Sequence, residues 1–209
     1  PRDVGAAEVV DGRLRLSVPP GVNHNPWATN DSVRLVQAVA DADLSLEARF
    51  ESVPTARYQM QGLTVVDGDR DFLRFDVHHD GSGLRLFVST TTGGTPHAWV
   101  NQPLPTLAQV YLRLERVGDQ WTMSWSPDGV TWTAGGSFTH AMVARQVGPF
   151  VATYDSGGNP PAFTAMVDYV AAVGQAPPPG GPDDTTPPVI SQVSVTAAGT
   201  SARIGWRTD

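Results

Sequence analysis

The chain is 209 residues long, with 40% hydrophobic residues, 21 Gly and 18 Pro, which supplies apolar material for one sizeable core and the turn chemistry of many short strands. Its formal net charge is -7, from 14 basic against 21 acidic residues, and no run of Lys or Arg offers the field that nucleic acid or an anionic membrane surface needs. There is no cysteine, which excludes disulfides and thiolate metal sites, and no apolar stretch reaches the ~18 residues of a spanning helix.

In chain order, Asp11-Gly12 marks a tight turn before the alternating Leu14, Leu16 and Val18 of a half-buried strand. His24, Asn25 and Trp27 follow in a loop shaped by Pro19, Pro20 and Pro26, where a Trp can plug the end of a core or stack on a ligand. Val33 to Leu46 contains Ala and Leu but no clean apolar stripe, and reads as two strand-like pieces broken around Asp41 to Asp43. The pairs Asp67-Gly68, Asp80-Gly81 and Asp128-Gly129 punctuate further alternating runs: Leu84, Leu86 and Val88; Val110, Leu112 and Leu114; Trp121, Met123 and Trp125. About a dozen short strands are predicted before residue 174. Residues 175–188, QAPPPGGPDDTTPP, form a predicted polyproline-like linker with nothing to bury. Residues 189–209, with Ile190, Val193, Val195, Ile204 and Trp206, read as the first two strands of a fibronectin type III or related immunoglobulin-like module, which cannot stand alone.

Two segments carry the polar residues of interest. On Arg57 to Val66, alternation sets Arg57, Gln59 and Gln61 against Tyr58, Met60 and Gly62. On Phe72 to His79 it sets Arg74, Asp76 and His78 against Leu73, Phe75 and Val77. Joined as a hairpin, these strands are expected to display Gln59, Gln61, Arg74 and Asp76 on one face, with Arg57, His78, Trp27 and Trp99 at its margins. Planar rings beside fixed donors and acceptors suit sugar. The competing reading is the plain solvated face of an antiparallel sheet, but Gln flanked by Arg is a poor choice for one. Trp121 and Trp125 sit on an apolar strand face and are assigned to the core.

The stretches RYQMQGLTVVDGDRDFLRFDVHHDG, VYLRLERVGDQWTMSWSPDGVTW and VGPFVATYDSGGNPPAFTAMVDYV resemble, in order and spacing, the concanavalin A-like domain at the C-terminus of many β-xylosidases, found also as a domain of unknown function in secreted actinobacterial proteins. The resemblance runs from Val4 to Val173 and implies an all-β jelly-roll sandwich of two curved antiparallel sheets over residues 1–174. One concave face holds sugar in related lectins and glucanases. Family members usually open with an Asp-Asp-Phe strand, which this chain lacks, so an edge strand is expected to be missing or supplied elsewhere. SPDGVTW (126–132) is similar to the Asp box of sialidases, a hairpin whose Asp bonds its own turn above a packed Trp.

The resulting expectation is a non-catalytic carbohydrate-binding module of a secreted multidomain protein, with a polysaccharide or oligosaccharide and covalently linked domains as partners, and neither nucleic acid nor membrane. The alternatives are a structural or adhesion spacer that docks its neighbours, and a glycoside hydrolase. Hydrolysis needs two carboxylates ~5–10 Å apart; Glu47 and Glu51 share a strand face at about 13 Å, the Glu-x-Asp-x-x-Glu motif of glucanases is absent, and Asp76 has no acidic partner in sequence. Asp67, Asp69 and Asp71 have alternate-acid spacing without the Gly and distal Glu of a calcium loop, and read as a hairpin turn. A structural calcium near the chain ends, with Asp168 as a ligand, is implied by the resemblance alone. His78 and His79 point to opposite faces and cannot share a metal.

Overall fold

A computed structural model of the chain describes residues 5–172, 190–198 and 201–208. Fourteen strands precede residue 173: β1 (Ala6–Val10), β2 (Arg13–Val18), β3 (Val33–Arg34), β4 (Gln37–Ala38), β5 (Leu44–Phe50), β6 (Gln59–Gly68), β7 (Asp71–His79), β8 (Leu84–Thr92), β9 (Thr95–Pro103), β10 (Val110–Val117), β11 (Gln120–Ser126), β12 (Thr133–Thr139), β13 (Gln146–Thr153) and β14 (Phe163–Ala172). They form two antiparallel sheets, one in the order β1-β2-β14-β5-β10-β11-β12 and the other β3-β13-β6-β7-β8-β9, with β4 also on β13. The described residues contain no helix, hence none long and apolar enough to cross a membrane. The ambiguous stretch 33–46 is indeed broken, into β3, β4 and the start of β5.

The core between the sheets is assembled by period-two alternation. Leu16, Val18, Leu46, Ala48, Phe50, Leu112, Leu114, Trp121 and Met123 enter from the first sheet, and Leu63, Val65, Leu73, Phe75, Val77, Leu86 and Val88 from the second. Trp125 joins them, as its strand pattern predicts. The two sheets differ in a way that matters for function. Along β10, buried residues alternate with half-buried ones, as expected when one face is packed and the other solvated. Along β7, every residue from Phe72 to His78 is buried, so the face carrying Arg74, Asp76 and His78 is covered as well.

Turn chemistry follows the sequence. Asp11 and Gly12 both have positive φ, 51° and 74°, which is the requirement of a two-residue type I′ hairpin. In the β11–β12 hairpin Asp128 Oδ1 accepts from the backbone N–H groups of Val130 (2.8 Å) and Thr131 (2.7 Å) and from Ser126 Oγ (2.8 Å), and Trp132 stacks under the Arg113 guanidinium at 3.8 Å. The Thr131 and Val130 amides and the Ser126 hydroxyl hold the exposed Asp128 carboxyl down from 3.8 to about 2. A depressed carboxyl contributes stability that is fully present above its unfolded value and is lost as pH falls through its folded one. The Val130 and Thr131 amides are therefore expected to lose hydrogen-exchange protection between pH 4 and 2, and in Asp128→Asn that pH dependence disappears.

Beyond the sandwich, β15 (Ile190–Ala198) and β16 (Ser201–Thr208) pair antiparallel as a separate two-stranded unit. The module start predicted over 189–209 falls on this hairpin, and the linker assigned to 175–188 lies outside the described residues.

Candidate functional site

Pairing registers decide which side chains share a face, because directly opposed residues project to the same side. On the face of the second sheet turned away from the core, successive rungs read Thr64–Arg74–Ser89, then Phe150–Gly62–Asp76–Phe87, then Ala152–Met60–His78–Arg85. Arg74, Asp76 and His78 thus stand together as expected, at i, i+2 and i+4 on β7. Gln59 and Gln61 do not join them. Their partners across β13 and β7 are Thr153, Val151 and Val77, which puts both on the inner side.

The reason is a bulge between Val66 and Gly68. Gly68 opposes Asp71, and continuing that register would set Gln61 beside His78. The extra residue, Asp67, shifts every later pair by one, so Gln61 opposes Val77 instead. Both glutamines then serve the scaffold. Gln61 is 0% exposed; its Oε1 accepts from Ser52 Oγ (2.6 Å) and its Nε2 donates to Ser52 O (2.6 Å). Gln59 Oε1 accepts from the amides of Thr55 and Ala56, and its Nε2 donates to Ala162 O. The substitution Gln61→Ala is therefore expected to cost ~2 kcal/mol of stability, from a cavity and unpaired Ser52 groups, measurable by denaturant unfolding, with no direct loss of a ligand contact.

The other sequence candidates divide. Trp27, 39% exposed, lies over this face with its ring 6.2 Å from Phe87. Arg57 reaches its margin, its guanidinium 4.8 Å from the Tyr58 ring centroid. Trp99 lies elsewhere: it stacks on Phe138 (4.4 Å, 7° between planes), meets His97 edge-on, and donates from Nε1 to Thr90 Oγ1 (2.9 Å). It belongs to the edge where β9 meets β12.

The face is not the open hollow the sequence suggests. The segment from His24 to Asn30 crosses it, tied by His24 N–H to Thr153 O, Thr91 Oγ1 to Trp27 O (2.6 Å), Arg74 Nη1 to Pro26 O (3.1 Å) and Asn30 N–H to Asp69 O. Beneath it, Asp76 is 0% exposed. Arg74 Nε lies 3.0 Å from Asp76 Oδ2 and His78 Nδ1 3.4 Å from Oδ1, distances of ion pairing, yet neither contact has the direction of a hydrogen bond. Burial pushes the Arg74 guanidinium down, and Asp76 opposes the shift. The Phe87 ring lies 4.6 Å under the same guanidinium. His24 Nε2, Asn30 Nδ2, Arg74 Nε, both Asp76 oxygens, His78 Nδ1 and Ser89 Oγ are all buried without a hydrogen-bond partner. Of the described residues only Thr153 adds to that set from outside this face and its covering segment.

Sequence reasoning missed Phe87, Tyr58, Tyr154 and Gly62. Phe87 had a legible signal, an aromatic out of phase with Leu84, Leu86 and Val88. Gly62 opposes Asp76, and a Cβ there would fall 2.1 Å from Phe75 O and 2.8 Å from Asp76 Cβ, so the side-chain-free position keeps room beside the carboxylate.

The other acids singled out in the sequence are bound away from this face, most of them by arginines. Asp168, the proposed calcium ligand, accepts from Arg49 Nη1 (2.8 Å), Asp69 from Arg34 (2.9 Å) and Asp67 from Arg145 (2.5 Å). Asp71 Oδ1 accepts from Gly93 N–H. Glu51 pairs with Arg13, and Glu47 accepts from Arg113 (2.7 Å) and from the Tyr169 hydroxyl, whose pKa burial and Glu47 hold up. Among the described residues no three His, Asp or Glu side chains are grouped to hold an ion.

Comparison with known proteins places this geometry. Residues 4–171 match the model of the β-xylosidase C-terminal concanavalin A-like domain. Among solved structures, the GH43 BlXynB protein of Bacillus licheniformis superposes with a TM-score of 0.68 at 15% identity, over 80% of this chain and 34% of that one. A functionally unknown protein of Saccharomyces cerevisiae gives 0.65 at 13% identity, over 80% and 91%, and a legume lectin-like domain of Entamoeba histolytica gives 0.58 at 8% identity, over 81% and 87%. The chain thus spans about a third of the BlXynB chain and most of the other two. No curated protein matches. With the two-sheet sandwich and a family match over 4–171, the chain belongs to the family of β-xylosidase C-terminal concanavalin A-like domains.

Proposed function

We propose that this chain is a non-catalytic carbohydrate-binding module of a larger secreted protein, holding sugar on the outer face of the second sheet. The observation that carries the reading is the gathering of unpartnered buried polar atoms there, centred on Asp76. Buried polar groups are nearly always hydrogen-bonded, and leaving them unpaired costs free energy. Residues 24–30 close these atoms off, so a ligand reaches them only when that segment lifts; a sugar hydroxyl, which both donates and accepts, then serves the acceptor-only Asp76 and the donor-only Arg74 Nε in one ligand. Phe87 and Trp27 supply apolar surface for the C–H side of a ring. A bare cation fits worse, because Arg74 already stands 3.0 Å from the one carboxylate.

Affinity electrophoresis through gels containing xylan, arabinan, glucan or mannan tests this reading. The intact chain is expected to be retarded by at least one of them. Trp27→Ala, at a part-exposed position outside the core, is expected to keep the fold and to weaken retention about tenfold, the equivalent of ~1.4 kcal/mol. Equal retention of wild type and Trp27→Ala, or none by any polymer, counts against the site.

A further inference from the structure

Resting on the carbohydrate-binding reading, we infer that the chain has a second, open sugar subsite in the groove beside Arg57 and Tyr154, and that it takes an uncharged sugar residue. The groove measures about 420 Å³ and is lined by Arg57, Tyr154, Asp155 and Asn159 between Pro20 and Pro160. That volume falls in the ~300–1,000 Å³ range of small-ligand clefts. Neither Asp76 nor residues 24–30 line it, so binding there requires no lifting of the covering segment.

Its walls are fixed by bonds between distant parts of the chain. Gly21 N–H donates to Pro160 O (3.0 Å). Asn23 clasps Asp155 with both ends of its amide: Asp155 N–H donates to Asn23 Oδ1 (2.8 Å) and Asn23 Nδ2 donates to Asp155 O (3.1 Å). Gln59 ties in the remaining side, since its Oε1 accepts from the Ala56 amide (2.9 Å) and its Nε2 donates to Ala162 O (2.8 Å). The glutamine that alternation set on a ligand face thus frames the groove from behind. Tyr58 has φ 57°, which is rare for a bulky side chain. Two backbone bonds hold it there, Tyr58 N–H to His79 O (2.7 Å) and Tyr154 N–H to Tyr58 O (3.2 Å). Backbone strain of this kind collects at ligand sites, and here it fixes the turn that carries Arg57.

The polar groups of the groove are open to a ligand. Among the described residues of the sandwich, every arginine but Arg57 and Arg70 pairs with a carboxylate, and Arg70 donates to Gly93 O (2.8 Å). The exposed Arg57 lies over the Tyr58 ring and makes one long contact, 3.4 Å, with its hydroxyl. Asp155 Oδ2 accepts from Asn159 N–H (3.1 Å), which leaves Oδ1 to accept from a ligand. A donor-only and an acceptor-only group that share a groove without pairing suit hydroxyls, which do both. Half-buried Tyr154 adds ring surface for C–H contacts. One cation and one anion offset each other, so the groove favours a neutral sugar over a uronate.

Isothermal titration of the full chain with xylotriose, arabinotriose, cellotriose, mannotriose and trigalacturonate tests this. At least one neutral trisaccharide is expected to bind saturably. Arg57→Met, and Asp155→Asn, which can keep the bond to Asn159 N–H, are each expected to weaken that binding at least tenfold with an unchanged thermal midpoint. Unchanged affinity in both variants overturns the groove, and leaves sugar binding on the covered face standing where Trp27→Ala weakens it. Tighter binding of trigalacturonate than of every neutral trisaccharide overturns the uncharged class. Absence of saturable binding by all of these sugars overturns the binding reading, and this inference with it.

Discussion

Replacing Asp76 by alanine is expected to lower the free energy of unfolding by ~3–5 kcal/mol, the penalty for stripping the partner from a buried ion pair. Arg74 is the reason. It is buried, its guanidinium is within 3.0 Å of Asp76 Oδ2, and its other polar contacts, Pro26 O and the Met60 sulfur, carry no full charge. Without Asp76 the guanidinium stays in a low-dielectric site with nothing to neutralise it. The double replacement Arg74→Met with Asp76→Leu removes both charges and is expected to recover most of that loss, since apolar substitution of a whole buried pair is often neutral or better. Urea unfolding of the three variants checks this. Recovery in the double variant together with lost sugar retention would mean that the pair is kept for its ligand and not for the fold.

The second large effect is expected at Gly62. Its missing side chain faces Asp76 across the β6–β7 ladder, and a Cβ would meet backbone, 2.1 Å from Phe75 O and 2.6 Å from Asp76 Cα. Backbone in the middle of a six-strand order cannot step aside as a flexible side chain would. Gly62→Ala should therefore cost ~3 kcal/mol, the upper part of the usual range for overpacking, and Gly62→Val more. Its thermal midpoint against that of wild type is the measurement, and a change within 1 °C would show that the rung is looser than described.

The sandwich was legible because period-two alternation and Asp-Gly turns are local signals. Leu112 and Leu114, Trp121 and Met123, and the Asp11-Gly12 hairpin all lie where pattern alone puts them. The clustering of Arg74, Asp76 and His78 was legible for the same reason, since it needs only one strand. The assignment of Gln59 and Gln61 to that face required knowing a register between strands, and one bulged residue at Asp67 reverses it. No composition or periodicity announces a bulge of that kind. Trp99 failed for a related reason: β9 shifts register between its pairings with Val88 and Ser89, and the Trp lands at the sheet edge against Phe138. The covering of the face by residues 24–30 was invisible because it depends on bonds to residues far away in the chain, such as His24 to Thr153 and Thr91 to Trp27.

The most direct measurement is a ¹H–¹⁵N NMR titration of the full chain with short oligosaccharides of the retained polymer. Binding where we place it predicts saturable shifts of the Trp27 indole, the Tyr58, His78 and Phe87 amides, and the Arg74 side chain, with the outer strands of the first sheet unmoved. Shifts confined to Trp99 and β12, or to Arg49 and Tyr169 on the first sheet, would contradict it.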